Sequence, residues 1–140
     1  MKKFIIKIED IDKVVNELKD LMNHCQVFTF EGPLGAGKTT IIRHLLRKCN
    51  IHQPITSPTF NYVNVYENIQ GQLFYHFDLY RIQSVDEFLE AGFDEFLYLE
   101  NSWAFIEWPE VIEPLLKKNV CRVVIDFYNN QRKISYTVSL

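Results

Sequence analysis

Hydrophobic and polar positions change rhythm several times along the chain, and each change marks an element. Residues 4–9 form a short apolar run that predicts a first strand. In residues 10–23, Ile11, Val14, Val15, Leu18, Leu21 and Met22 recur at helical spacing, so an amphipathic helix is expected. Residues 26–31 read as a second strand. Residues 39–49 read as a helix with Ile41, Ile42, Leu45 and Leu46 on its apolar face. The period then changes to two. Residues 59–66 and 73–80 alternate, are rich in Tyr, Phe and Val, and flank a turn containing Gly71, which predicts an antiparallel hairpin. Ser84 with Glu87 three residues on is a capping-box pattern for a helix to about Ala91, ended by Gly92. Residues 103–108 are an apolar strand closed by Pro109, and residues 111–117 a short helix. Residues 121–128 and 134–140 make a last hairpin around Asn129, Asn130 and Gln131. The whole reads as α/β, with a strand–loop–helix unit first and antiparallel pairs added after it.

Length and composition narrow the class. A chain of 140 residues is expected to form one domain, and 47% hydrophobic content with 11 Phe and 7 Tyr supplies its core. No stretch approaches the roughly 18–20 uncharged apolar residues of a membrane span. The basic start is followed by an apolar run that Lys7 and Glu9 interrupt, unlike a signal peptide. A soluble cytoplasmic protein without membrane contact is expected. Cys25, Cys49 and Cys121 are scattered and show no metal-ligand spacing, so reduced, mostly buried thiols are expected. A net charge of −3 with five arginines argues against autonomous nucleic-acid binding, which usually needs a basic face.

The chemistry begins between the second strand and the helix that follows it. Gly32-x-x-x-x-Gly37-Lys38-Thr39 matches the Walker A pattern in full. Its glycines, with Leu34, Gly35 and Ala36 between them, let successive backbone N–H groups face phosphate oxygens. The positive end of the helix that starts there favours the anion. Lys38 can reach the β- and γ-phosphates, the Thr39 hydroxyl can ligate Mg²⁺, and Thr40 extends the loop. A P-loop NTPase-like three-layer fold with a mixed parallel and antiparallel sheet follows from this loop and the hairpins.

Such a loop needs a carboxylate, usually at the end of an apolar strand, to complete the Mg²⁺ site. Two places qualify: Glu107, after Trp103-Ala-Phe-Ile, and Asp78, after Leu73-Phe-Tyr-His-Phe. Strand alternation puts His76, Asp78 and Tyr80 on one face. That face is either the solvent side of an antiparallel strand or a polar row aimed at the γ-phosphate. Ser57-Pro58-Thr59 adds hydroxyls near the metal or is a plain turn into a strand.

Together, Gly32-Pro-Leu-Gly-Ala-Gly-Lys-Thr-Thr40, Ser57-Pro-Thr-Phe60, His76-Phe-Asp-Leu-Tyr-Arg81 and Ile106-Glu-Trp-Pro109 resemble the bacterial TsaE family, also called YjeE, over nearly the whole chain. The resemblance implies a small P-loop ATPase of tRNA modification that uses ATP and Mg²⁺ in making threonylcarbamoyl-adenosine. Its implied partners are TsaD and TsaB, with tRNA met only through that complex. It further implies that Thr39 and Glu107 hold Mg²⁺, that Asp78 is a catalytic or metal-site acid, and that Trp108 belongs to the functional surface. Two positions depart from the family: Pro33 stands where Asp is usual, and Ile11 where a Thr is usual.

The mechanism expected is in-line attack of water on the ATP γ-phosphate. N–H groups of residues 35–39 and Lys38 hold the phosphates, Asp78 positions the water, and Thr59 senses the γ-phosphate. Arg81 either supplies transition-state charge or makes a structural salt bridge. The strand from His76 to Arg81, with Tyr80 and Trp108, is the expected partner surface. The guanine-reading Asn-Lys-x-Asp motif is missing, which favours ATP. Two rival readings are a nucleotide-gated binding module without significant turnover and a small-molecule kinase. The kinase would need a lid with several arginines; of the five here, Arg43 and Arg47 lie on the helix after the loop.

Overall fold

The structure is a computed structural model and describes residues 1–58 and 60–140. Its frame is one seven-stranded mixed sheet in the order β1-β7-β6-β2-β5-β4-β3. The strands are β1 (Lys2–Ile6), β2 (Val27–Glu31), β3 (Val63–Glu67), β4 (Leu73–Asp78), β5 (Ser102–Glu107), β6 (Val120–Tyr128) and β7 (Gln131–Ser139). The helices are α1 (Asp12–Leu21), α2 (Lys38–Lys48) and α3 (Val85–Glu90), with 3₁₀ turns at Ile8–Asp10, Phe93–Phe96 and Glu110–Leu115. The central strands β6, β2, β5 and β4 run parallel, while β1, β7 and β3 add antiparallel edges.

Both faces of the centre are covered, which is why β2 and β5 read as near-continuous apolar runs and not as alternating ones. On one face, Val14, Val15 and Leu18 of α1 and Ile41, Ile42, Leu45 and Leu46 of α2 pack on Phe28, Phe30, Phe74 and Phe105. Each of the α2 four is fully buried, contributing about 1.5–3 kcal/mol apiece. On the other face, Phe88 of α3, Ile112 and Leu116 pack on Val27, Phe77 and Ile106. This makes three layers of mixed sheet and helices, as the sequence predicts. Among the described residues no helix is long and apolar enough to cross a membrane.

Most elements fall where the periodicity puts them, with shifted ends. The first strand is earlier than expected, and residues 8–10 turn instead, with the Ile8 side chain against the glycine loop at Gly37. The first hairpin strand starts at Val63, not at residue 59. The expected helix at residues 111–117 is a 3₁₀ turn, since Pro114 cannot donate the bond an α-helix needs there. Ser84 does cap α3, its Oγ accepting the Glu87 N–H at 3.1 Å. The Glu87 carboxylate reaches the N–H of Gln83 and not that of Ser84. All three cysteines are free and buried, as expected.

Candidate functional site

The site lies where three parallel strands end at one level. Register pairs Phe30 with Glu107 across β2 and β5, and Glu107 with Asp78 across β5 and β4. The chain leaving β2 becomes the glycine loop; the ends of β5 and β4 deliver the two acids beside it. Leu34, Gly35, Gly37, Lys38, Thr39, Thr40, Ser57, Asp78, Tyr80, Arg81, Glu107 and Trp108 line a cleft of about 470 Å³.

Two glycines allow the loop its path. At Gly32 an added Cβ would sit 2.3 Å from the Ile125 carbonyl oxygen, so only glycine lets the loop lie this close to β6. Gly37 has φ 116, a left-handed conformation, and an added Cβ there would also meet Ile8 at 2.7 Å. Ala36 is buried behind the loop, and its carbonyl accepts a 2.8 Å bond from Arg132 Nε of β7.

Helix α2 starts with no side-chain cap and no acidic residue in its first turn. Its amino end, with the N–H groups that an α-helix leaves unpaired there, is the kind of place that receives an anion. Lys38 is buried, and its amine donates to the carbonyls of Gly32 and Pro33, the latter at 3.1 Å. Burial pushes that amine below its ordinary value, against the pull of Glu107, Glu110 and Asp78.

The Thr39 hydroxyl donates to the Glu107 carboxylate, 2.9 Å from each oxygen. Glu107 is itself buried, and its Oε2 lies 2.6 Å from His76 Nε2. Asp78 is half-buried, and its Oδ1 accepts the Tyr80 N–H at 3.1 Å. Burial raises the Asp78 carboxyl above its ordinary value; the Tyr80 bond, Lys38 and His76 oppose that, and Glu107 adds to it. Among the described residues no three His, Cys, Asp or Glu side chains form a ready-made metal cluster. A magnesium ion does not require one, because it takes one or two carboxylates and completes its shell with phosphate oxygens and water. A hydroxyl and a carboxylate beside an uncapped helix start fit that pattern.

The sequence-predicted residues therefore converge, with differences. His76 is fully buried behind Glu107, so it belongs to no exposed partner face, and its strand is not solvent-facing: β4 lies between β3 and β5 with helices over it. Arg81 is exposed and makes no salt bridge among the described residues; its guanidinium stacks on Phe60, 5.3 Å from the ring centre. Tyr80 and Trp108 touch, ring centres 4.9 Å apart. Ile11 is fully buried core, and Pro33 is exposed at the loop. Thr59 lies outside the described residues. Sequence reasoning missed Arg132 as the loop's anchor; nothing in its local sequence marks it. It also missed the His76–Glu107 pair, which only the β4–β5 register reveals.

Comparison with known proteins places the chain in a family. The family model of TsaE, the threonylcarbamoyl adenosine biosynthesis protein, matches residues 5–134. A tRNA threonylcarbamoyladenosine biosynthesis protein TsaE from Rickettsia prowazekii is 32% identical over 131 residues, covering 86% of this chain and 89% of that protein. Its counterpart from Aquifex aeolicus is 32% identical over 133 residues, covering 90% and 87%. The crystal structure of Bacillus subtilis YdiB shares the fold with a TM-score of 0.72 at 24% identity, covering 99% of this chain and 86% of that one. The chain belongs to the TsaE family of threonylcarbamoyl adenosine biosynthesis proteins.

Proposed function

We propose that this protein is a magnesium-dependent ATPase, a single catalytic domain working in the cytoplasm, that serves threonylcarbamoyl-adenosine modification of tRNA by acting on the TsaB–TsaD complex. What carries the reading is the Thr39–Glu107 bond at the mouth of a glycine loop whose helix starts uncapped. Lys38 and the backbone N–H groups of residues 35–39 hold the phosphates. Thr39 and Glu107 hold Mg²⁺, which when bound neutralises charge on the phosphate oxygens. Asp78, whose ionised form burial disfavours, stands across from Glu107 and orients the attacking water. Thr59 contacts the γ-phosphate. Arg81 is paired to no acid among the described residues and is free to supply charge to the transferring group. If Arg81 does not reach it, the partner supplies the arginine, and turnover alone is slow. A net charge of −3 suits a helper that meets tRNA only through its partners.

The test is phosphate release from ATP by the protein alone and with TsaB–TsaD, beside Glu107→Ala and Asp78→Ala. Turnover that rises with the partners and disappears in both variants supports the reading. ATP binding without phosphate release under any condition would overturn it in favour of a nucleotide-gated binding module.

A further inference from the structure

We infer that His76 is a positioning residue: through its bond to Glu107 Oε2 it fixes the carboxylate that faces the bound cation. This rests on the proposed magnesium site. His76 is fully buried and Glu107 nearly so, and their contact at 2.6 Å is short. A carboxylate only accepts hydrogen bonds, so Nε2 carries the hydrogen. The Thr39 hydroxyl has one hydrogen, shared between two oxygens at 2.9 Å each. His76 is thus the one donor among the described side chains committed wholly to Glu107. The sharing is also unequal. Oε2 serves both Thr39 and His76, while Oε1 serves Thr39 alone and keeps lone pairs to spare.

A merely structural histidine would satisfy both ring nitrogens. Here Nδ1 is buried with no hydrogen-bond partner among the described residues. An unpaired buried polar atom costs on the order of 1–3 kcal/mol, and an apolar side chain would avoid that cost. The histidine stands at this expense in a layer shared with Phe74 and Phe105. What it contributes is a rigid donor on a central strand, aimed at the acid of the neighbouring strand. Partners that orient metal ligands from behind in this way typically change metal affinity by about 10–100-fold when removed.

The experiment compares His76→Gln, which keeps an N–H donor, with His76→Met, of similar length but without one. Mg²⁺ is titrated calorimetrically into each protein saturated with ADP, and thermal melting without metal is recorded in parallel. The inference expects His76→Met to bind Mg²⁺ roughly tenfold or more weakly and His76→Gln to recover most of that loss. Equal Mg²⁺ affinity in both variants and the parent overturns it, as does an equal loss in both. A second observable needs no variant at position 76: the ¹⁵N signals of the His76 ring should move when Mg²⁺ is added to the ADP complex, and stay put in Glu107→Ala. An unmoved signal in the parent protein overturns the inference even if neither variant folds. If the parent binds ADP but no Mg²⁺, the magnesium site itself fails and this inference with it; a failure confined to the position-76 results leaves the ATPase reading standing.

Discussion

The Lys38 amine lies 3.9 Å from the centre of the Trp108 ring while donating to the carbonyls of Gly32 and Pro33. The cation proposed to meet phosphate is held by the protein itself. A cation–π contact of this kind is worth about 0.5–2 kcal/mol, which an incoming nucleotide must exceed. Trp108 emission should therefore change, and saturate, as ATP is added. Measured in a Trp103→Phe background, the change should be absent in Lys38→Ala, whose ATP affinity should fall at least about tenfold.

Asp78 links site and stability through pH. Burial holds its carboxyl above the ordinary value of 3.8, so the folded protein binds this proton more tightly than the unfolded chain does. Ionised Asp78 thus costs stability at neutral pH. The cost fades as pH falls through the raised folded value and is gone below the ordinary one. Asp78→Asn keeps the oxygen that accepts the Tyr80 N–H, so it should melt above the parent at pH 7, by about 2–4 °C for each kcal/mol relieved. The gap should close in melts taken at successively lower pH. The same variant should lose ATP turnover.

Gly32→Ala should fail for steric reasons alone. Its Cβ would press on the Ile125 carbonyl, a backbone group that cannot swing aside, and the loop must shift. An overpacking cost of about 1–3 kcal/mol is expected in chemical denaturation, with a larger loss in nucleotide affinity.

Arg132 anchors the loop from the far hairpin through Ala36 and stacks on Phe127 at 4.7 Å. Arg132→Met removes the bond and keeps most of the stem. Nucleotide affinity should fall several-fold, in line with a bond worth about 1–2 kcal/mol, while the melting temperature moves little. A titration with a fluorescent ADP analogue would measure this.

The thiols should be silent. Burial pushes Cys121 up to about 12 and Cys49 up to about 11, and raises Cys25 as well. An aromatic disulfide reagent at pH 8 should find no fast-reacting thiol in the folded protein and all three after denaturation.

Local chemistry was legible in the sequence wherever a single segment carries it. The glycine loop, the Ser84 cap, the hairpin turn at Asn129 and Asn130, and the apolar faces of α1 and α2 each depend on residues a few positions apart. The loop's need for an acid left Glu107 and Asp78 both open, and only the family resemblance singled out Glu107 beside Thr39. What pairs across the sheet was hidden. Alternation put His76 beside Asp78, yet only the register of β4 against β5 turns it toward Glu107 and buries it. Arg132 reaches Ala36 across 96 residues of chain, a distance over which no local pattern speaks. At residues 111–117 the apolar spacing suits a helix, but Pro114 inside it lacks the N–H that an α-helix would use, and the segment winds as a 3₁₀ turn.

The central position of β2 also has a consequence for the protein's birth. Val27–Glu31 pairs with nothing nearby in sequence; its neighbours are Ser102–Glu107 and Val120–Tyr128. On the ribosome, Glu31 is made 120 − 31 = 89 residues before Val120. At about 5–20 residues per second, that leaves at least one side of the strand unpaired for on the order of 5–20 s. Throughout that time Phe28 and Phe30, fully buried in the finished fold, lack the sheet that hides them. The phosphate loop can therefore take its final shape only after the strands on either side of β2 have been made.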